Sequence, residues 1–161
     1  MGLWMPFPAS ANSFEKSNPA GLGITIMPSS ISDLDGLAPS FAVKLKKAGI
    51  RTTEKLLESA KSLRGRQMLA EETEIDEKQL LRVANLIDRM RIKGVGQEYA
   101  ELLEAVGVVT LKELRYRNPA RLAKAMADAN VKRKLVRALP SEHTVERWID
   151  HAKKLPVKIS Y

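Results

Sequence analysis

Cysteine is absent from the chain, which removes disulfide staples, thiol nucleophiles and thiolate metal sites together. Histidine is nearly as scarce: His143 and His151 are the whole supply, eight residues apart on one expected helix. About two turns separate them, too far for the i, i+4 metal pair of a zincin, so they read as ordinary surface or rim histidines. No stretch approaches the ~20 apolar residues that span a bilayer. The apolar start from Met1 to Phe14 lacks a cationic signal-peptide region and is broken by Pro6 and Pro8. The reading is a cytoplasmic protein with no membrane partner. Walker loop, dinucleotide fingerprint and nucleophile elbow are all missing. Glu142, Glu146 and Asp150, with Arg147 and Lys153 close by, read as ion-paired helix surface. Asp33 and Asp35 precede a turn, where Ser32 or Asp33 would cap, and no cluster supports a metal there. No catalytic residue, cofactor or metal is expected, and the chain is read as not an enzyme.

What the chain has in abundance is charge and helix-forming residues. Its 161 residues suffice for one domain that buries roughly two thirds of its unfolded surface. Lys and Arg number 27 against 19 Asp and Glu, a net +8 that suits an acidic partner surface or plain solubility. Residues 31 to 91 hold 12 basic and 10 acidic side chains, residues 92 to 161 hold 14 and 8. The second half is therefore the basic one.

Residues 1 to 30 are rich in Pro, Gly, Ser and Asn and read as a disordered leader. Within it, Trp4 and Phe7 offer a short docking motif and Met27 a later translation start. From Leu34 onward the periodicity is helical almost throughout, so the domain at 31–156 is expected to be all-α, a monomer, followed by a tail at 157–161. Leu80, Val83, Ala84, Ile87 and Met90 trace one buried face of the longest expected helix, leaving Arg82, Asp88, Arg89 and Arg91 to water. Asn118 and Pro119 open a helix carrying Leu122, Ala123 and Met126. Ser141 caps another whose inner face is Val145, Trp148, Ile149 and Ala152, stopped by Pro156.

Residues 34 to 58 overlay residues 92 to 116 at a constant spacing of 58, matching Gly36 with Gly94, Ala42 with Ala100, Leu45 with Leu103, Gly49 with Gly107, Thr52 with Thr110 and Leu56 with Leu114. Phe41 and Tyr99 also correspond. Beyond these segments the register is lost, so two copies are expected, at about 31–91 and 92–156, about a pseudo-twofold axis. Each copy is a tight Gly-apolar-small turn and then a helix with Ala and Leu inside. Together they should share one core of Phe41, Leu45, Leu56, Leu69, Leu80, Val83, Ile87, Leu103, Leu114, Met126, Leu135 and Trp148.

The turn Gly94-Val95-Gly96 with Tyr99, Ala100, Leu103 and Gly107 resembles the helix-hairpin-helix family; Gly36-Leu37-Ala38 is a looser copy, with Ala at the second glycine. A turn this short needs backbone conformations open to glycine, and it leaves the next helix with free N–H groups at its positive end. The resemblance implies that hairpin amides hold a nucleic-acid backbone without reading bases, two hairpins gripping both strands across the minor groove. The segment RIKGVGQEYAELLEAVGV, with RNP and a late LPS before a Trp-bearing helix, also resembles a bacterial family of unknown function, the one numbered 4332, over about residues 31 to 156.

Site candidates follow from both lines. The hairpins contribute Gly36, Leu37 and Ala38, and Gly94, Val95, Gly96 and Gln97; the first helix adds Lys44, Lys47 and Arg51. A basic run from Arg115 to Arg137, with Asp128 its only acid, adds Arg121, Lys124, Lys132 and Arg133, displayed if Val131, Leu135 and Leu139 face inward. The expected function is non-catalytic, sequence-nonspecific binding of DNA, or RNA, through its phosphates. The alternative is a protein-protein interaction scaffold with an acidic partner, favoured by Glu98, Glu101 and Glu104 after the second hairpin.

Overall fold

The computed structural model describes residues 29–161, and these form eight α-helices with no β-strand among them. A 3-10 turn at Ile31–Asp33 leads into α1 (Pro39–Lys47), α2 (Thr53–Ala60), α3 (Leu63–Thr73) and α4 (Glu77–Arg89). Then come α5 (Gln97–Ala105), α6 (Leu111–Arg115), α7 (Pro119–Arg133) and α8 (Glu142–Lys154). The first 28 residues of the expected leader, including Trp4, Phe7 and Met27, lie outside the described residues. Its last two belong to the fold: Ser30 forms an isolated bridge with Thr52, and Thr53 N–H donates to the Ser29 carbonyl. Ser30, rather than Ser32 or Asp33, caps the opening turn.

Short polar side chains set most helix starts. Thr52, Ser62, Thr110, Asn118 and Ser141 each accept a hydrogen bond from a first-turn N–H, and at Thr110 the Glu113 carboxylate completes a capping box. Pro119 opens α7 and Pro39 opens α1, where a missing N–H costs nothing.

The repeat runs through the whole domain. α1 and α2 correspond to α5 and α6, with Gly36, Gly94, Gly49 and Gly107 all at positive φ and Thr52 and Thr110 as matching caps. α3 and α7 both end on a left-handed residue, Glu74 and Lys134. α4 and α8 also match: Leu80, Val83, Ala84 and Ile87 are answered by Val145, Trp148, Ile149 and Ala152, now at a spacing of 65. α7 has 15 residues where α3 has 11, and a longer connection precedes α8, which is why the register fails in the sequence. α7, not the 13-residue α4, is the longest helix. Helix packing repeats as well: α1 meets α3 and α2 meets α4, as α5 meets α7 and α6 meets α8.

Instead of one shared core there are two, one per half. Phe41, Leu45, Leu56, Leu69, Leu80, Val83 and Ile87 fill the first; Leu103, Leu114, Met126 and Trp148 fill the second. Half-buried Met90 packs against both, and the neighbours Leu86 and Ile87 on α4 enter one each. α4 is thus a strut covered on two sides, and this overturns the expected exposure of three of its polar residues. Asp88, Arg89 and Arg91 are buried, and only Arg82 faces water. Arg89 Nε and Nη1 donate to the carbonyls of Ala100 (2.9 Å) and Val109 (2.8 Å), tying α4 to the second half, while Arg91 Nη1 donates to Asp88 Oδ1 at 2.7 Å.

Two further expectations change around α7. Val131 and Leu139 are exposed, at 74% and 48%, and Leu135 is only partly buried. The inward spacing assumed a continuous helix, whereas the chain turns at Lys134 and sends Val136 inside, held by paired hydrogen bonds with the Asn130 side chain. Residues 157–161, expected as a tail, pack back on the first half: Ile159 joins its core, Ser160 N–H donates to the Lys61 carbonyl, and Tyr161 Oη donates to Asn85 Oδ1 at 2.9 Å.

Candidate nucleic-acid interface

The two glycine turns lie side by side because a primary amide pins them. Gln97 Oε1 accepts from Asp35 N–H at 3.0 Å, and Gln97 Nε2 donates to the Asp35 carbonyl at 2.9 Å and to Glu101 Oε1 at 2.9 Å. The side chain expected to face phosphate is therefore occupied as a brace between the turns. Gly36 and Gly94 sit at φ +79° and +90°, a region side chains rarely adopt, which makes these two turn positions glycine-dependent. Val95 is buried as the plug of the second turn, and Leu37 is half-buried in the first.

The helices that leave these turns differ from most others in the fold. Ala38 and Gly96 stand at their N-cap positions without a capping side chain, although α4, after Asp76, shares that lack. At α1 few amides are left for an anion, since Pro39 has no N–H and Phe41 N–H donates to the Ala38 carbonyl at 2.9 Å; the first turn of α5, behind Gly96, is the better supplied of the two.

Charge is spread unevenly around the turns. Lys44 and Lys47 lie in the last turn of α1 and Arg51 just beyond, where they complement the helix's negative end about 10–15 Å from the Ala38 amides. Lys46 donates to Ser32 Oγ at 2.7 Å. Between the turns, a cleft of about 410 Å³ is edged by Asp33, Asp35 and Glu98. In the basic run, Arg115 is spent on the carbonyls of Ala152 and Leu155 at the end of α8, and Arg117 donates to the Val106 carbonyl. Arg121, Lys132 and Arg133 are exposed on α7, as is Lys124, which pairs with Asp128 at 3.3 Å.

A larger cleft, about 910 Å³, opens between the second turn and α8, and the sequence reading missed it. Gly94 and Lys93 form one wall; Arg147, Trp148, Asp150, His151 and Lys154 of α8 form the other. Tyr99 packs against Trp148 with ring centroids 5.3 Å apart and planes tilted by 58°, and donates from Oη to the Ala138 carbonyl at 2.6 Å, fixing the approach to α8. His151 Nδ1 accepts from Lys93 N–H at 3.0 Å, so its proton sits on Nε2. Burial, then the charges of Arg91, Lys154 and Lys93, push the imidazole below its ordinary pKa and keep it neutral.

That shift has a measurable sign. A depressed histidine pKa means that the unfolded chain binds the proton more readily, so the stabilisation is complete above about pH 6.5 and is lost as pH falls towards the folded value. Urea midpoints of the native protein and of His151→Asn should therefore converge as pH falls from 7.5 to 5. A constant difference between the two would show that the imidazole does not titrate against the fold.

Residues 35–155 match the model of a family described as Domain of unknown function (DUF4332). The chain belongs to that family. The match takes in both glycine turns and all eight helices up to the end of α8. No curated protein and no solved structure matches the chain.

Proposed function

We propose that this member of the family is a non-catalytic, sequence-nonspecific DNA-binding protein of the helix-hairpin-helix type. The observation that carries the reading is the pairing of the turns: two repeated glycine turns, braced together by Gln97, each followed by a helix start that no side chain caps. Phosphate oxygens accept from such amides, and the net +8 adds attraction at a distance. Contacts of this kind position a backbone and read no bases.

Gly96 lies at φ −84° with nothing within 4 Å of an added Cβ, so it accepts a side chain without backbone strain. The double variant Ala38→Asp, Gly96→Asp would supply each helix with its own capping carboxylate and set that charge against a phosphate. It should remain folded and bind labelled duplex DNA about tenfold more weakly, while native binding weakens with salt by ~0.9 log unit per phosphate contacted. Unchanged anisotropy titrations from a folded double variant would remove the hairpins from the binding role.

One observation favours a second reading, a protein-interaction scaffold. The acidic edge between the turns, Asp33, Asp35 and Glu98, repels phosphate and suits a basic peptide segment. This reading leads to negligible duplex binding near physiological salt and to a partner that survives nuclease treatment in pull-downs.

A further inference from the structure

The cleft between the second turn and α8 contains a donor with no acceptor. Trp148 is 3% exposed, yet its indole Nε1–H has no hydrogen-bond partner among the described residues. The fully buried polar atoms that lack partners are Arg89 Nη2 and Arg91 Nε, so the indole nitrogen is not sealed in the core. It lies beside Gly94, close enough that a Cβ on that glycine would sit 3.4 Å away, and both residues line the cleft. A buried indole normally finds an acceptor, and one left open at a cleft wall points to an acceptor brought by a ligand.

The surroundings specify an anionic acceptor. Lys93, Arg147 and Lys154 line the cleft with no ion-pair partner among the described residues, against one carboxylate, Asp150. His151 contributes a second N–H, since its Nδ1 is held by the Lys93 amide. The volume of about 910 Å³ admits a phosphate together with the sugar and base it carries.

We propose that this cleft is a phosphate site in which Trp148 Nε1–H and His151 Nε2–H donate to phosphate oxygens within a rim of Lys93, Arg147 and Lys154. The phosphate can belong to a nucleic-acid strand or to a free nucleotide. Where a strand supplies it, the site rests on the DNA-binding reading and brings α8 into the interface beside the second hairpin.

Trp4 is the other tryptophan, so Trp4→Phe in the full chain leaves Trp148 as the sole indole reporter. Its emission is followed on titration with a duplex oligonucleotide, a nucleoside monophosphate and inorganic phosphate, each against a chloride control of equal ionic strength. The same titrations are run on Arg147→Gln with Lys154→Gln, an exposed pair whose loss leaves the fold intact, and binding by Trp148→Phe is measured by calorimetry. Saturable change in Trp148 emission, with affinity about tenfold lower in both variants, is the expected result. A response to nucleotide, with no binding of labelled duplex by anisotropy, keeps the phosphate site and overturns the DNA-binding reading. Duplex binding with silent Trp148 emission and unaffected variants keeps that reading and overturns the site. Silence of Trp148 towards all three probes overturns the site, and an unchanged anisotropy of labelled duplex beside it overturns the DNA-binding reading too.

Discussion

Replacing Arg89 with alanine is expected to destabilise the fold by about 3–5 kcal/mol, a large part of the ~5–15 kcal/mol that a domain of this size commands. The guanidinium is 1% exposed, so its charge has given up water entirely. In exchange it satisfies the carbonyls of Ala100 and Val109, and it lies 3.6 Å from Glu104, within ion-pair range though beyond a hydrogen bond. Burial lowers its pKa, with Glu104 and Asp88 pulling it back up. Truncation would take a donor away from the buried Ala100 carbonyl and the part-buried Val109 carbonyl and leave a cavity between the halves. Arg89→Met keeps the volume and removes the donors, so its cost should be smaller, about 1–3 kcal/mol. Urea unfolding at constant slope measures both. A loss below about 1 kcal/mol in Arg89→Ala would mean that the bridge from α4 to α5 and α6 contributes little.

Leu45→Ala and Leu103→Ala should each cost about 3 kcal/mol, because both side chains are fully buried and neither site can collapse without moving a helix. The two leucines occupy equivalent repeat positions in separate cores. Their effects should add to within about 0.5 kcal/mol in the double variant, measured on a background stable enough to remain folded. Strong non-additivity would show that the cores respond as one.

Local grammar made much of this fold legible in advance. Asn118, Ser141 and the Thr52 and Thr110 pair sit where helices begin, and Val145, Trp148, Ile149 and Ala152 form the buried face of α8. Single-helix periodicity misjudged Asp88, Arg89 and Arg91, since it marks polar residues as outward while α4 has neighbours on opposite sides. It also carried the α7 pattern past Lys134, where a left-handed residue redirects the chain. The α8 cleft had no linear signature at all. Lys93 and Arg147 are far apart in the chain, and only packing of α8 against the second turn makes them neighbours.

The segment of residues 156–161 links parts of the fold that their cores keep separate. Ile159 leaves the second half to complete the interior of the first, the Pro156 carbonyl accepts from Arg91, and Lys158 faces Glu58 at 3.8 Å. Fraying of α8 would pull that closing piece out of its distant neighbour, so damage in the basic half is felt in the other. The last residues thus tie the end of α8 to the first half, a link between the copies that neither copy contains by itself.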